Sequence, residues 1–132
     1  MPRIILSVLF LLTLVSAVMA QDPVKVDATH YKVEFENSEV RVLRIKVAPH
    51  EKSIMHQHPN AVAIFLTDLN GKFTFPDGKT ENVTSKTGEA RWTPAITHQP
   101  ENAGDKPFEL ILVELKSKPV AKRSAKMKRR AE

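Results

Sequence analysis

From Tyr31 onward, hydrophobic and polar residues alternate with a period of two. Tyr31, Val33 and Phe35 interleave with Lys32, Glu34 and Glu36; after a turn at Asn37-Ser38, the run Val40, Val42, Ile45, Val47 continues against Arg41, Arg44 and Lys46. Successive side chains of a strand point to opposite sides, so this period predicts strands with one face inward. Leu43 falls out of phase and is read as a bulge. Ala61 to Thr67 is a continuous apolar run, Asp68-Leu69-Asn70-Gly71 supplies turn chemistry before Phe73 and Phe75, and Pro76-Asp77-Gly78 marks a further turn ahead of a weak strand through Thr80, Asn82 and Thr84. A short segment from Gly88 includes Trp92, and Phe108 to Leu115 closes the pattern with β-prone residues. Short strands at this spacing, with no helical period between them, predict one all-β domain over residues 21–115, a sandwich or closed barrel.

The two ends differ from this body. Arg3, the apolar run Ile4 to Val15, and the small residues Val18 and Ala20 have the order of a signal peptide cleaved after Ala20, so residues 1–20 predict an exported protein, periplasmic or secreted. The alternative is a retained N-terminal membrane anchor, since Ile4 to Ala20 reaches the lower edge of a bilayer span. Residues 116–132 hold eight Lys/Arg against one Glu, whereas residues 21–115 hold eleven against fourteen acidic residues. The formal charge of +5 therefore belongs to the tail, and the folded body is acidic. The tail, interrupted by Pro119 and lacking an apolar face, is read as disordered, with an anionic envelope surface as a possible contact. It has no aromatic residue on which a base could stack, so sequence-specific nucleic-acid recognition is not expected. The absence of cysteine excludes disulfides, thiolate metal sites and a cysteine nucleophile.

The chemistry concentrates at His56-Gln57-His58. Residues i and i+2 of a strand share a face, so two imidazoles converge there, as a metal requires. The stretches from Ala48 to His58 and from Gly88 to Asn102 together resemble the two sequence motifs of the cupin family. Gly88, Pro94, His98 and Asn102 fall in register with the second motif, and Gly71 lies where the first should close. The resemblance implies an antiparallel jelly-roll β-barrel of the RmlC-like kind, with His56, His58 and His98 as ligands of a divalent transition metal (Fe, Mn, Zn, Ni or Cu). It also implies a small-molecule ligand or substrate, and homodimers are common in the family.

This chain departs from the motifs at three places. The family's metal-binding Glu would fall at Val62 or Ala63, both apolar; His50 stands where the opening Gly is expected; and Ile96 stands at a usual turn Gly, so both turns are expected to be altered. Three neutral imidazoles leave the ion its full 2+ charge, which favours hydroxide or an anionic ligand, carboxylates included. Trp92, Gln99 and Asn102 are read as pocket or supporting residues, with Trp92 alternatively in the core, and Glu101 as a further partner or a rim residue. Arg91 is expected to point outward, His30 to lie on the surface without a partner, and His50 to sit in a loop near the barrel mouth. Three functions stay open: a metal-dependent enzyme, a binding module with or without metal, and an interaction protein working through its tail.

Overall fold

The computed structural model describes residues 21–117; the expected signal segment, the rival anchor reading and the tail beyond Ser117 lie outside the described residues. In chain order the elements are α1 (Pro23–Val26), β1 (Tyr31–Glu36), β2 (Val40–Val47), β3 (His56–His58), β4 (Ala61–Phe65), β5 (Leu69–Thr74), β6 (Thr80–Ser85), β7 (Ala90–Thr93), β8 (Ile96–Asn102) and β9 (Phe108–Leu115). The strands build two antiparallel sheets, ordered β1-β2-β9-β4-β7 and β3-β8-β5-β6, whose inner faces enclose a jelly-roll core, as the sequence predicts. No helix among the described residues is long and apolar enough to cross a membrane.

The core is set by lateral register. Leu43, Leu112 and Ala63 lie in one cross-strand row, and Ile45, Leu110 and Phe65 in the next, all buried. Val47 and Phe108 extend this face, which Tyr31 of β1 and Leu69 of β5 complete. Leu43 is therefore a core residue and no bulge; the register shift lies in β1, between Val33 and Phe35. The sequence misleads here because the five-stranded sheet is apolar on both sides. On its outer face Phe35, Val42, Val113, Val62 and Trp92 form a row across all five strands. With apolar residues on both faces, a period of two identifies the strand but not its inward phase.

Two further elements differ from expectation. Leu69–Thr74 is a strand rather than a turn, because the chain reverses earlier, where Asp68 accepts hydrogen bonds from the backbone N–H and hydroxyl of Thr87. Gly71 suits that strand: it is paired on both sides, with Val83 and Asn102, and a Cβ there would stand 3.4 Å from the Glu101 carbonyl oxygen. The helical turn α1 is too short to leave a period. Asp22 caps it by accepting from the Val24 N–H at 3.0 Å, and Pro23 occupies its first turn.

Candidate metal centre

Strand β3 consists of little more than the histidine pair, and its pairing with β8 sets His98 directly opposite His56. His56 and His58 share a face by alternation, and His98 joins them by register. The three rings lie 4.7 to 5.5 Å apart between centroids, each edge to face with the other two. All three side chains are buried, and their ligand atoms lie within 4.8 Å of one another. The sequence-predicted ligand set is brought together in full.

The surrounding acceptors fix which nitrogen each ring presents. The Ile54 carbonyl can only accept, so His56 donates to it from Nδ1 at 2.6 Å, leaving a lone pair on Nε2. His58 donates from Nδ1 to Glu114 Oε1 at 2.6 Å, which likewise turns its Nε2 toward the cluster. The two Nε2 atoms stand 2.9 Å apart. Two lone pairs at that distance repel unless a cation lies between them. A proton would satisfy this one pair, but both nitrogens of buried His98 have no hydrogen-bond partner among the described residues. A metal ion would take one lone pair from each ring, with a small closing movement of the three side chains, and would leave the second His98 nitrogen, an N–H, without a partner among the described residues. Two imidazole nitrogens bound at right angles to one ion at about 2.1 Å stand about 3 Å apart, close to the spacing between His56 and His58. Burial pushes His56 down to about 4, with the neighbouring His58 adding to the shift. His98 is pushed down to about 2, again by burial first. Both rings are therefore unprotonated donors near neutral pH.

Glu114 was not singled out from the sequence. It is buried, enters from β9 and pairs laterally with Ala61, so a carboxylate reaches the centre one strand away from the positions at which the family motif would supply it. Its role differs too, since it orients His58. Its second oxygen accepts from Arg41 Nε at 2.6 Å, and Arg41 Nη1 reaches Asp22 at 2.8 Å, so a charged chain runs from the start of α1 to His58. Burial alone would raise the Glu114 pKa, but hydrogen bonds from His58 and Arg41 outweigh it and hold the carboxyl below its ordinary value. The backbone contributes as well: Gln57, between the two ligands, donates its N–H to the Gln21 carbonyl at 2.9 Å. One signal was available in the sequence. In the alternation Phe108, Leu110, Leu112, Glu114, an acid occupies an inward position.

The other sequence candidates disperse. Asn102 is buried but spends its side chain on the backbone, donating to the Val47 and Lys106 carbonyls and accepting from the Gly104 N–H. It pins a loop and does not reach the histidines. Gln99 donates to the Ser53 carbonyl at 3.0 Å and so steadies the segment leading into β3. Glu101 pairs with Lys52 and Lys72. Trp92 and Arg91 reverse their expected phase. Arg91 lies beside inward-facing Ala63 with its guanidinium 5.5 Å from the Phe65 ring, whereas Trp92 lies beside outward-facing Val62 and is 54% exposed, bordering the cavity from its rim. His30 has two partners rather than none, bridging Asp27 and Glu51 at 2.7 Å each. His50 is exposed and bonds to Asp105 at 3.0 Å.

A cavity of about 300 Å³, lined mainly by aliphatic and aromatic side chains, opens onto His58 and His98. A wider surface groove of about 660 Å³ contains Asn102 but none of the three histidines, and the charges along it pair as Lys86 with Asp68 and Arg91 with Glu89. Of these two, the smaller cavity is the one that reaches histidines of the cluster.

Solved structures share this architecture. A cupin domain from Bordetella pertussis Tohama I superposes with a TM-score of 0.61 at 21% identity, covering 66% of this chain and 92% of its own. The fold is that of the cupins. An uncharacterized conserved protein with a double-stranded β-helix domain from Klebsiella pneumoniae subsp. pneumoniae matches at TM-score 0.52 and 19% identity, over 64% of this chain and 70% of that one. An RmlC-like cupin family protein from Methanocaldococcus jannaschii matches at 0.50 and 19%, over 67% and 83%. No protein-family model and no curated protein sequence matches the chain.

One of the two departures from motif glycines, His50, falls at a left-handed backbone position. His50 adopts φ 63°, the left-handed conformation for which glycine is favoured, and it is the one non-glycine among the described residues to do so. The strain of about 1–2 kcal/mol falls on the residue. Ile96 instead begins β8, where the strand continues into His98.

Proposed function

We propose that this cupin-fold chain binds one divalent transition ion (Fe, Mn, Zn, Ni or Cu) through His56, His58 and His98, and engages a small molecule in the adjoining cavity. The observation that supports it best is the pair of facing Nε2 atoms, 2.9 Å apart, with both Nδ1 atoms committed elsewhere. Bound there, the ion would supply Lewis acidity toward an oxygen donor. Glu114 would hold His58 in the ligating orientation, and the apolar walls would keep water scarce. Because the ion binds the folded state alone, a hundredfold excess over Kd adds about 2.7 kcal/mol, and the melting temperature should rise by about 10 °C or more in a domain of this size. His58→Ala should abolish the rise for every metal tried, and an equal rise in that variant would refute the assignment.

A binding module without metal is the second reading, favoured by apolar Val62 and Ala63 in place of an acidic ligand. It predicts ligand binding that survives a chelator. Export is part of the proposal, resting on residues 1–20; a mature chain beginning at Gln21 in the exported fraction supports it, and an intact chain in the membrane fraction supports the anchor instead.

A further inference from the structure

The cavity beside the triad has strongly one-sided chemistry. Its volume is about 300 Å³. Phe65, Phe73, Phe75, Ile96, Leu110 and Leu112 supply much of its wall, and the ring of Phe73 stands 4.3 Å from that of His98. Few wall groups can replace the hydrogen bonds of a polyhydroxylated ligand, so such a ligand would be costly to desolvate.

One more polar atom bordering the cavity is unused. Thr93 borders the cavity, and its hydroxyl oxygen is buried with no hydrogen-bond partner among the described residues. Thr93 lies opposite Ala61, which lies opposite Glu114, so this hydroxyl enters the barrel in the same cross-strand row as the carboxylate that holds His58. Two residues back along β7, at about 7 Å, the chemistry changes. Arg91 there is matched by Glu89 at 2.5 Å and laid against Phe65, so it offers no uncompensated charge. Glu81, exposed at the rim, disfavours a second anionic group in the ligand.

We propose that the cavity takes a small monocarboxylate with an apolar, ring-sized body. One carboxylate oxygen would meet the ion held by the three histidines, the other would accept from the Thr93 hydroxyl, and the body would lie against the aliphatic and aromatic wall. This ligand class rests on the metal reading above.

The full-length chain loaded with Co(II) gives a visible spectrum that reports on donors at the ion. Phenylacetate should shift that spectrum saturably. Succinate should bind at least tenfold more weakly, and glucose should leave the spectrum unchanged. Thr93→Val, nearly isosteric, should keep stoichiometric cobalt but weaken phenylacetate by about tenfold, the loss expected for one hydrogen bond to a charged acceptor. Bound cobalt whose spectrum phenylacetate does not move, or which succinate or glucose moves equally, would overturn the ligand class and leave the metal centre standing. Unchanged phenylacetate affinity in Thr93→Val would overturn the assigned contact. Wild type that binds neither cobalt nor any of the five ions named above would overturn both this proposal and the metal reading.

Discussion

At the scale of single residues, Glu114 governs how the triad is presented. Its oxygens accept from His58 and from Arg41 at 2.6 Å each, and its side chain is nearly inaccessible. Hydrogen-bond partners of metal-ligating histidines fix tautomer and ring direction, and losing one typically costs about 10–100-fold in metal affinity. Glu114→Gln keeps the volume and an acceptor for His58 but takes the charge away from Arg41. It should weaken metal binding by about that factor in competition against a chromophoric chelator, with all three ligands intact. Wild-type affinity in this variant would show that the chain from Asp22 to His58 is structural only. The three clustered histidines were legible in the sequence because an HxH pair and a motif-placed His98 are local patterns. Glu114 and Arg41 were not, because their meaning comes from registers joining positions 73 residues apart.

At the scale of elements, the strands could be read but the phase of β2 could not. Val40 and Val42 look as suitable for the core as Leu43 and Ile45, and only pairing with β9 assigns Leu43 to the buried row. The structure therefore makes a paired prediction. Leu43→Ala, at a fully buried position, should cost about 2–5 kcal/mol in urea unfolding, whereas Val42→Ala, on the outer face, should cost under about 1 kcal/mol. The reverse order would put the core on the wrong side of the sheet. The same blindness to phase exchanged Arg91 and Trp92. Element β5 was hidden for a different reason: Asn70 and Gly71 are turn-forming residues, yet the glycine serves close strand packing beside Glu101.

At the scale of the whole molecule, the buried histidines link the fold to pH. In metal-free protein His56 and His98 are depressed to about 4 and about 2 from an ordinary 6.5. The unfolded chain therefore takes up protons below pH 6.5 that the folded chain refuses. Their contribution is full above pH 6.5 and is lost as pH falls toward 4, by up to about 1.4 kcal/mol per pH unit for each ring. His30 acts in the opposite sense. Burial disfavours its charge, but the hydrogen bonds it donates to Glu51 and Asp27 raise its pKa overall, so its contribution is full below 6.5 and is lost as pH rises through the raised value. Chemical denaturation of the chelated protein from pH 4 to 8 should thus show stability rising with pH through 5 to 6, then flattening or declining. A flat profile below pH 6.5 would mean that the two rings are not buried unprotonated.

Metal content is the most direct test of the three-histidine centre. Full-length protein purified without chelator, then reconstituted anaerobically, should hold one divalent transition ion per chain by elemental analysis. His56→Ala and His98→Ala should each reduce this to background while remaining folded by circular dichroism. Background metal in reconstituted wild type, or an unchanged ion in both variants, would contradict the centre described here.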